Sequence, residues 1–181
     1  MMVLEITQYG NPVLRKKCRP VTEVTDEIKE LAESMVETMK HAEGVGLAAP
    51  QIDRDLQMAV VDVSHDPECI SYLRVDGEEA TFDDLMPLIF INPVLEFGKA
   101  RESATEGCLS IEGINAEVRR PAEVKATLEL LDGRKIVVES DGLLSRAIQH
   151  EVDHLNGVLF VDRLSAASKL SVKRKLKRLL E

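Results

Sequence analysis

Two histidines separated by three residues are the most chemically suggestive feature of the chain. His150 and His154 belong to the sequence HEVDH at 150–154, and helical residues four apart share one face with their Cβ atoms about 5–6 Å apart. Two imidazoles so placed can bind one metal ion, and Glu151 between them can take a proton from water that the ion has acidified. The motif therefore predicts metal-assisted hydrolysis.

A catalytic metal site needs a third protein ligand, and the residues after His154 do not offer a convincing one. The metalloprotease pattern H-E-x-x-H-x-x-G-x-x-H is followed as far as Gly157, but Phe160 occupies the position of its third histidine. Asp162 lies close to the predicted helix end, and Glu181 is the last residue of the sequence. We therefore expect the third ligand to lie upstream.

The strongest upstream candidate is Cys108, in the sequence EGCLS at 106–110. The glycine before it lets the backbone approach a site closely, and a thiolate is a good soft ligand. Together with His150 and His154, Cys108 gives one sulfur and two nitrogen donors, a set suited to zinc or ferrous iron. Glu151 is then the base and not a ligand.

Three segments of the chain carry a family resemblance. They are GVGLAAPQ at 44–51, EGCLS at 106–110 and QHEVDH at 149–154, and in this order they closely resemble the three motifs of the peptide deformylase family. The sequence GNPVLR at 10–15 is similar to the family's amino-terminal segment, so the resemblance runs from residue 5 to residue 163. It implies a metal-dependent hydrolase that removes the formyl group from the initiator methionine of nascent polypeptides and releases formate.

The resemblance also assigns catalytic roles. It implies three ligands for one divalent metal ion: Cys108, His150 and His154. The family favours Fe²⁺, and the donor set also suits Zn²⁺, Ni²⁺ or Co²⁺. Glu151 would receive a proton from the attacking water and later deliver it to the departing amine. The side-chain amide of Gln51 and the backbone N–H of Leu109 would bind the developing oxyanion.

A second set of residues is expected to bind the substrate. In the family, the segments that match Gly46 and the residues after Ser110 pair with the extended peptide backbone. Leu143 and Ala147 share the helix face of the two histidines, because they lie two turns and one turn before His150. With Val45, they should line an apolar pocket for the methionine side chain.

Three other functions are disfavoured by particular residues. The sequence at 44–49 also fits the dinucleotide pattern G-x-G-x-x-A, but that pattern must follow a strand and open a helix. Here a predicted helix precedes the motif, and Pro50 would interrupt a helix that began in it. A zincin-like metallopeptidase would need the missing third histidine. A non-catalytic metal-binding relative would be expected to have lost Gln51, Cys108 or Glu151, and all three are present.

Composition points to a compact enzyme that forms one catalytic domain over residues 1–181. The net charge is −9, and the aromatic residues are four phenylalanines and two tyrosines, which argues against a general nucleic-acid surface. No apolar run approaches the ~20 residues of a membrane helix, and the start lacks a secretory signal, so we expect a reducing cytoplasm. Cys18 and Cys69 should be ordinary thiols, and His41 and His65 ordinary packed or solvated residues.

Apolar periodicity predicts an α+β fold, with antiparallel strands packed around a central metal-binding helix and further helices near the N- and C-termini. The predicted elements are a helix over 26–42, an extended loop over the glycine motif, strands over 56–63 and 88–92, a hairpin over 124–139 and a helix over 141–156. Pro93 should stop the second strand, Asp141 cap the last helix and Gly157 end it.

Asp153 is expected either to orient a ligand or to form a buried ion pair. Residues 64–87 are expected to be a solvated surface excursion, with a place beside the substrate cleft or an oligomer contact as alternatives.

The C-terminal segment is unusually basic. Residues 165–181 contain six basic side chains and one acidic side chain, in a chain whose net charge is −9. A helix over 164–181 is expected, docked through leucines at 170, 176, 179 and 180. Two interpretations stay open: a solvated terminal helix, or a helix that binds the ribosome near the nascent-chain exit, as in some bacterial deformylases.

Overall fold

A computed structural model describes residues 2–181. Its helices are α1 (Asp26–His41), α2 (Phe82–Leu85), α3 (Gly142–Leu155) and α4 (Ala166–Leu179), with 3₁₀ turns at Pro12–Arg15, Ala49–Ile52 and Phe160–Arg163. Its strands are β1 (Gly46–Ala48), β2 (Met58–Val61), β3 (Leu73–Val75), β4 (Glu78–Glu79), β5 (Leu88–Phe97), β6 (Arg101–Cys108), β7 (Ile111–Pro121), β8 (Val124–Glu129) and β9 (Lys135–Ser140).

The larger sheet has seven antiparallel strands in the order β1-β2-β5-β8-β9-β3-β4. Side chains alternate across β2: Ala59 and Val61 join the core that contains α3, whereas Met58 and Val60 join the core that contains α1. The sheet is therefore covered by helices on both faces, and α3 is largely buried. The predicted α+β class, with antiparallel strands around this helix, is confirmed.

Strands β6 and β7 form a separate antiparallel hairpin that carries the EGCLS motif. Ile111, Ile114 and Val118 of β7 pack in a third core with the N-terminal turn, the 3₁₀ turn after α3 and Val172 of α4. The hairpin is thereby fixed against the C-terminal end of α3. This packing brings the segment 106–110 close to the HEVDH motif.

Residues 64–87 are more than a solvated excursion. Strands β3 and β4 extend the sheet, with Arg74 opposite Glu139 of β9. The same segment holds the start of α3, because the N–H of Leu143 donates to the carbonyl of Cys69 at 2.9 Å. Asp141 occupies the N-cap position as expected, but its carboxylate accepts hydrogen bonds from Ser71 instead of capping the helix.

The predicted end of the strand over 88–92 is wrong, because β5 continues through Pro93 to Phe97. The pairing register with β8 shifts between Ile91 and Val94, and Asn92 adopts a φ of 49°. Such a bulge tolerates proline, since its residues leave the regular ladder and no N–H is required there. The glycine motif also differs from the expected loop, because Gly46–Ala48 pairs with β2 as a short strand.

Of the four leucines expected to dock the C-terminal helix, Leu176 does so, and Val172 is its buried neighbour. Val172 is buried and Leu176 packs against the same core, because residues four apart share a helix face. Leu170 and Leu180 remain 73% and 60% exposed. No helix within residues 2–181 is long and apolar enough to cross a membrane.

The start of α3 generates a stability prediction. Gly142 has a φ of 55°, and a Cβ there would overlap the carbonyl oxygen of Cys69. Gly142→Ala should therefore combine left-handed strain of about 1–2 kcal/mol with overpacking of about 1–3 kcal/mol. Gly133→Ala is the matched control, since Gly133 has a φ of 90° in open space. Urea unfolding should show the larger loss at Gly142, and equal losses would contradict the proposed contact.

Candidate active site

The three predicted metal ligands meet at one point. One donor atom from each of Cys108, His150 and His154 lies within 4.8 Å of the others. The Sγ of Cys108 lies 3.3 Å from the Nε2 of His154, and the two imidazole centroids are 5.0 Å apart. Strand β6 supplies the sulfur and helix α3 supplies both nitrogens, so the strand–helix contact fixes the donor set.

Glu106 determines which nitrogen of His150 faces the cluster. The Nδ1 of His150 lies 3.0 Å from a carboxylate oxygen of Glu106, and an ionised carboxylate can only accept a hydrogen bond. Burial would raise the pKa of Glu106, but hydrogen bonds from His150 and Arg120 outweigh it and hold the pKa well below its usual value. Nδ1 therefore keeps its proton, and Nε2 is the nitrogen that faces the cluster and can bind an ion when it gives up its own proton.

The electrostatics of the site favour a cation. Burial lowers the pKa of His150, but its hydrogen bonds with Cys108 and Glu106 outweigh burial and raise it to about 10. Burial and the neighbouring His150 lower the pKa of His154. The buried Nδ1 of His154 has no hydrogen-bond partner within residues 2–181. A soft thiolate beside two imidazoles fits one divalent transition-metal ion.

Glu151 lies in a confined position between α3 and β1. A Cβ on Gly46 would lie 2.6 Å from an oxygen of Glu151, so the glycine is needed for this close approach. Burial raises the pKa of Glu151 to about 7, and its Oε2 has no partner within the described range. A carboxylate with a pKa near neutrality can both accept and return a proton.

Gln51 is held by a local hydrogen bond. Its Oε1 accepts from the N–H of Ala48 at 2.9 Å, so its amide nitrogen points away, towards the Oγ of Ser110 at 3.2 Å and the Sγ of Cys108 at 3.6 Å. Leu109 lies in the turn between β6 and β7. A rigid donor beside the cluster is suited to binding an oxyanion.

An open cavity of about 360 Å³ joins these groups. Its walls include all the predicted substrate residues, Val45, Gly46, Leu143 and Ala147, together with Gln51, Cys108, Leu109, His150 and Glu151. His154 lies at 1% exposure behind this wall. The volume is within the usual range for a site that binds a small ligand or a peptide end.

The residues set aside by the sequence analysis lie outside the cluster. Phe160 packs beside His150 with its ring stacked at 6.2 Å, and Asp162 pairs with Arg15. His41 and His65 are exposed. The thiols at positions 18 and 69 are free.

Known proteins are similar to this chain over nearly its whole length. The family model described as polypeptide deformylase matches residues 3–170. The peptide deformylase of Methylacidiphilum infernorum is 44% identical over 178 residues, which cover 98% of this chain and 93% of that protein. The peptide deformylase of Acinetobacter baumannii is 41% identical over 181 residues, covering 99% and 93%.

A solved structure agrees with the sequence relatives. The peptide deformylase of Thermotoga maritima superimposes with a TM-score of 0.78 at 37% identity, over 91% of this chain and 99% of that one. The chain belongs to the peptide deformylase family. Deformylases hydrolyse the amide that joins a formyl group to the first residue of a nascent polypeptide, and this is the reaction of the chain. Metal dependence is a property of the family, and the Cys-His-His group of this deformylase is able to hold an ion.

A buried charge network lies behind the candidate metal ligands of the deformylase. Arg120 donates from Nε and Nη2 to Glu106 at 2.6 and 2.9 Å, and from Nη1 to Asp153 at 2.9 Å. Asp153 also accepts from Arg163. The predicted buried ion pair of Asp153 is therefore present, and it connects to His150 only through Arg120 and Glu106.

Sequence reasoning gave no role to Glu106, Arg120 or Arg146. A signal for Glu106 was available, because residues two apart on a strand share a face and Glu106 precedes Cys108 by two. Arg120 and Arg146 had no such signal. Their partner Glu106 lies 14 and 40 residues away in sequence.

The network predicts a large difference in the free energy of unfolding between two arginine variants of the deformylase. Arg120→Ala removes two hydrogen bonds from the buried Glu106 and one from Asp153, and should cost about 3–5 kcal/mol in the free energy of unfolding. Arg15→Ala removes an ion pair whose side chains are 45% and 38% exposed, and should cost about 0–1 kcal/mol. Chemical denaturation of both purified proteins measures the difference. A loss for Arg120→Ala as small as the loss expected for Arg15→Ala would show that the network contributes little to stability.

Proposed function

We propose that Cys108, His150 and His154 hold one divalent ion within a single catalytic domain, and that Glu151 is the general base of the deformylation. The observation that carries this proposal is the burial of Glu151 beside the Cys-His-His cluster, on the wall of the cavity. Fe²⁺ is the favoured ion on family resemblance, and the donors also suit Zn²⁺, Ni²⁺ or Co²⁺. When bound, the ion lowers the pKa of a water molecule and polarises the formyl carbonyl.

Glu151 moves the proton in both halves of the reaction. Its pKa of about 7 allows the carboxylate to accept a proton from the attacking water and to deliver it to the departing amine. The contact with Gly46 limits where the carboxylate can go, so little reorganisation is needed during turnover. The products are formate and a peptide with a free amino terminus.

The oxyanion is bound by two donors of the chain. Gln51 presents its amide N–H beside Cys108, since Ala48 fixes the other end of the amide. The backbone N–H of Leu109 is the second donor, next to the sulfur in sequence. Donors that are already oriented stabilise developing charge without a reorganisation cost.

The substrate enters between β1 and the turn after β6. Gly46 and the residues after Ser110 offer backbone groups to an extended peptide. Val45, Leu143 and Ala147 contribute apolar surface to the same cavity, which suits a methionine side chain. Free cysteines and a thiolate ligand are compatible with a reducing cytoplasm, where nascent chains are made.

The first test separates ligands from base. Cys108→Ala, His150→Ala and His154→Ala should each lose tightly bound metal and activity together. Glu151→Ala should keep the metal while the rate falls by roughly 10²–10⁴. Metal analysis and formate release on the same samples distinguish the two classes. Full metal content with normal turnover in a ligand variant would contradict the assignment, as would metal loss in Glu151→Ala.

The second test concerns the oxyanion donor. Gln51→Ala should lower kcat by about 10²–10³, with little change in metal content. Ser110→Ala is a useful companion, because it removes only a hydrogen-bond acceptor of the Gln51 amide. It should have a much smaller effect. An unchanged kcat in Gln51→Ala would remove this residue from the mechanism.

We also propose that α4 binds the ribosome. Its six basic side chains form no ion pair within residues 2–181, so the charge is available for RNA phosphates. Replacing Lys169, Lys173 and Lys177 by Gln tests this without disturbing the docked Val172 and Leu176.

The triple variant should lose salt-sensitive co-sedimentation with ribosomes and keep its activity on short formyl peptides. The control replaces three exposed lysines elsewhere, Lys16, Lys17 and Lys29, and should still co-sediment. Equal co-sedimentation of the two variants would leave α4 with a structural role only.

A further inference from the structure

Arg146 is a buried arginine on the cavity wall to which the mechanism assigns no role. It lies on α3 one turn before His150, and it lines the cavity together with Leu143 and Ala147. An arginine is an unexpected neighbour for a methionine side chain. Its hydrogen bonds explain how the pocket stays apolar.

Both terminal nitrogens of the Arg146 guanidinium donate hydrogen bonds to the β6–β7 hairpin. Nη1 donates to the carboxylate of Glu106 at 2.6 Å and to the carbonyl of Val118 at 2.9 Å. Nη2 donates to the carbonyl of Glu102 at 3.0 Å. Since the charged end is bound to the strands, the methylene stem is the part available to the cavity.

The contribution of Arg146 differs from that of Arg120. Glu106 keeps two hydrogen bonds from Arg120 and one from His150 when Arg146 is removed. The carboxylate and the orientation of His150 therefore do not depend on Arg146. What Arg146 alone provides are the bonds from α3 to the carbonyl of Val118 on β7 and to the carbonyl of Glu102, near the start of β6.

Strand β6 needs such a bond because it is the outer strand of a two-stranded sheet. Its hydrogen-bonded neighbour is β7, and its residues 101–103 are exposed. The same strand continues to Thr105, Glu106 and Gly107, which form one wall of the cavity opposite α3. The position of β6 relative to α3 therefore determines the width of the cavity.

We propose that Arg146 sets the width of the methionine pocket by holding β6 against α3 while its stem lines the pocket. It is a positioning residue that determines specificity, and it does not act on the reacting atoms. The inference rests on the assignment of this cavity to the methionine side chain made above.

The decisive variant is Arg146→Met, which keeps an unbranched apolar stem and loses the guanidinium. The KM for a formyl-Met-Ala-Ser peptide should rise roughly tenfold, while kcat and metal content stay within a factor of about two. The preference for formyl-Met over formyl-Phe should fall by a similar factor, since apolar pockets discriminate by about 10–200-fold per group. Arg146→Lys should recover part of both losses, because a lysine keeps the charge but cannot reach three acceptors.

Arg163→Met is the matched control. It removes a guanidinium from Asp153 in the same network, but Arg163 does not line the cavity. It should lower the thermal midpoint while KM and the formyl-Met preference stay unchanged. Calorimetric titration of metal-loaded proteins with the product peptide Met-Ala-Ser should show weaker binding to Arg146→Met and unchanged binding to Arg163→Met.

Three results would overturn the inference. An unchanged KM and preference in Arg146→Met would show that the arginine is structural only. A fall in kcat and metal content at constant KM would show that it acts on the metal ligands. A wild-type enzyme that does not prefer formyl-Met over formyl-Phe would overturn the pocket assignment itself, and this is measured before any variant is made.

Discussion

The carboxylate of Glu106 accepts hydrogen bonds from three side chains of two elements: Arg120 of β7, and Arg146 and His150 of α3. Burying a carboxylate costs several kcal/mol unless it is paired and hydrogen-bonded, and Arg120 meets this requirement with two hydrogen bonds to Glu106. In return, the charge fixes the proton on Nδ1 of His150 and leaves Nε2 for an ion. The strand that supplies the sulfur and the helix that supplies the imidazoles are thereby joined beside the Cys-His-His cluster.

The rest of the site depends on this junction. Once β6 and α3 are fixed, Glu151 faces β1, where only glycine at position 46 leaves room for it. Gln51 is oriented by the turn after β1, and its amide nitrogen lies beside Cys108. The cavity is therefore lined by polar groups near the Cys-His-His cluster and by the apolar side chains of Val45, Leu143 and Ala147.

The features predictable from the sequence were those with local signatures. Helical spacing identified α3 and its two histidines, and alternation identified the β8–β9 hairpin. The extent of β5 was not predictable, because the bulge at Pro93 depends on pairing with β8. The role of residues 64–87 was missed for a similar reason, since β3 pairs with a strand more than 60 residues later in the chain. Arg120 and Arg146 carry no local pattern, and their roles appear only when the hairpin packs on α3.

In the proposed mechanism, a single ion on Cys108, His150 and His154 supports hydrolysis of the formyl amide. The most direct test is an anaerobic assay of formate release from a formyl-Met peptide, run beside acetate release from the acetyl-Met peptide, with metal analysis of each sample. Formate release should increase in proportion to metal content up to one ion per chain, and acetate release should be far slower. Full formate release from metal-stripped protein, or equal rates on the two peptides, would contradict the account.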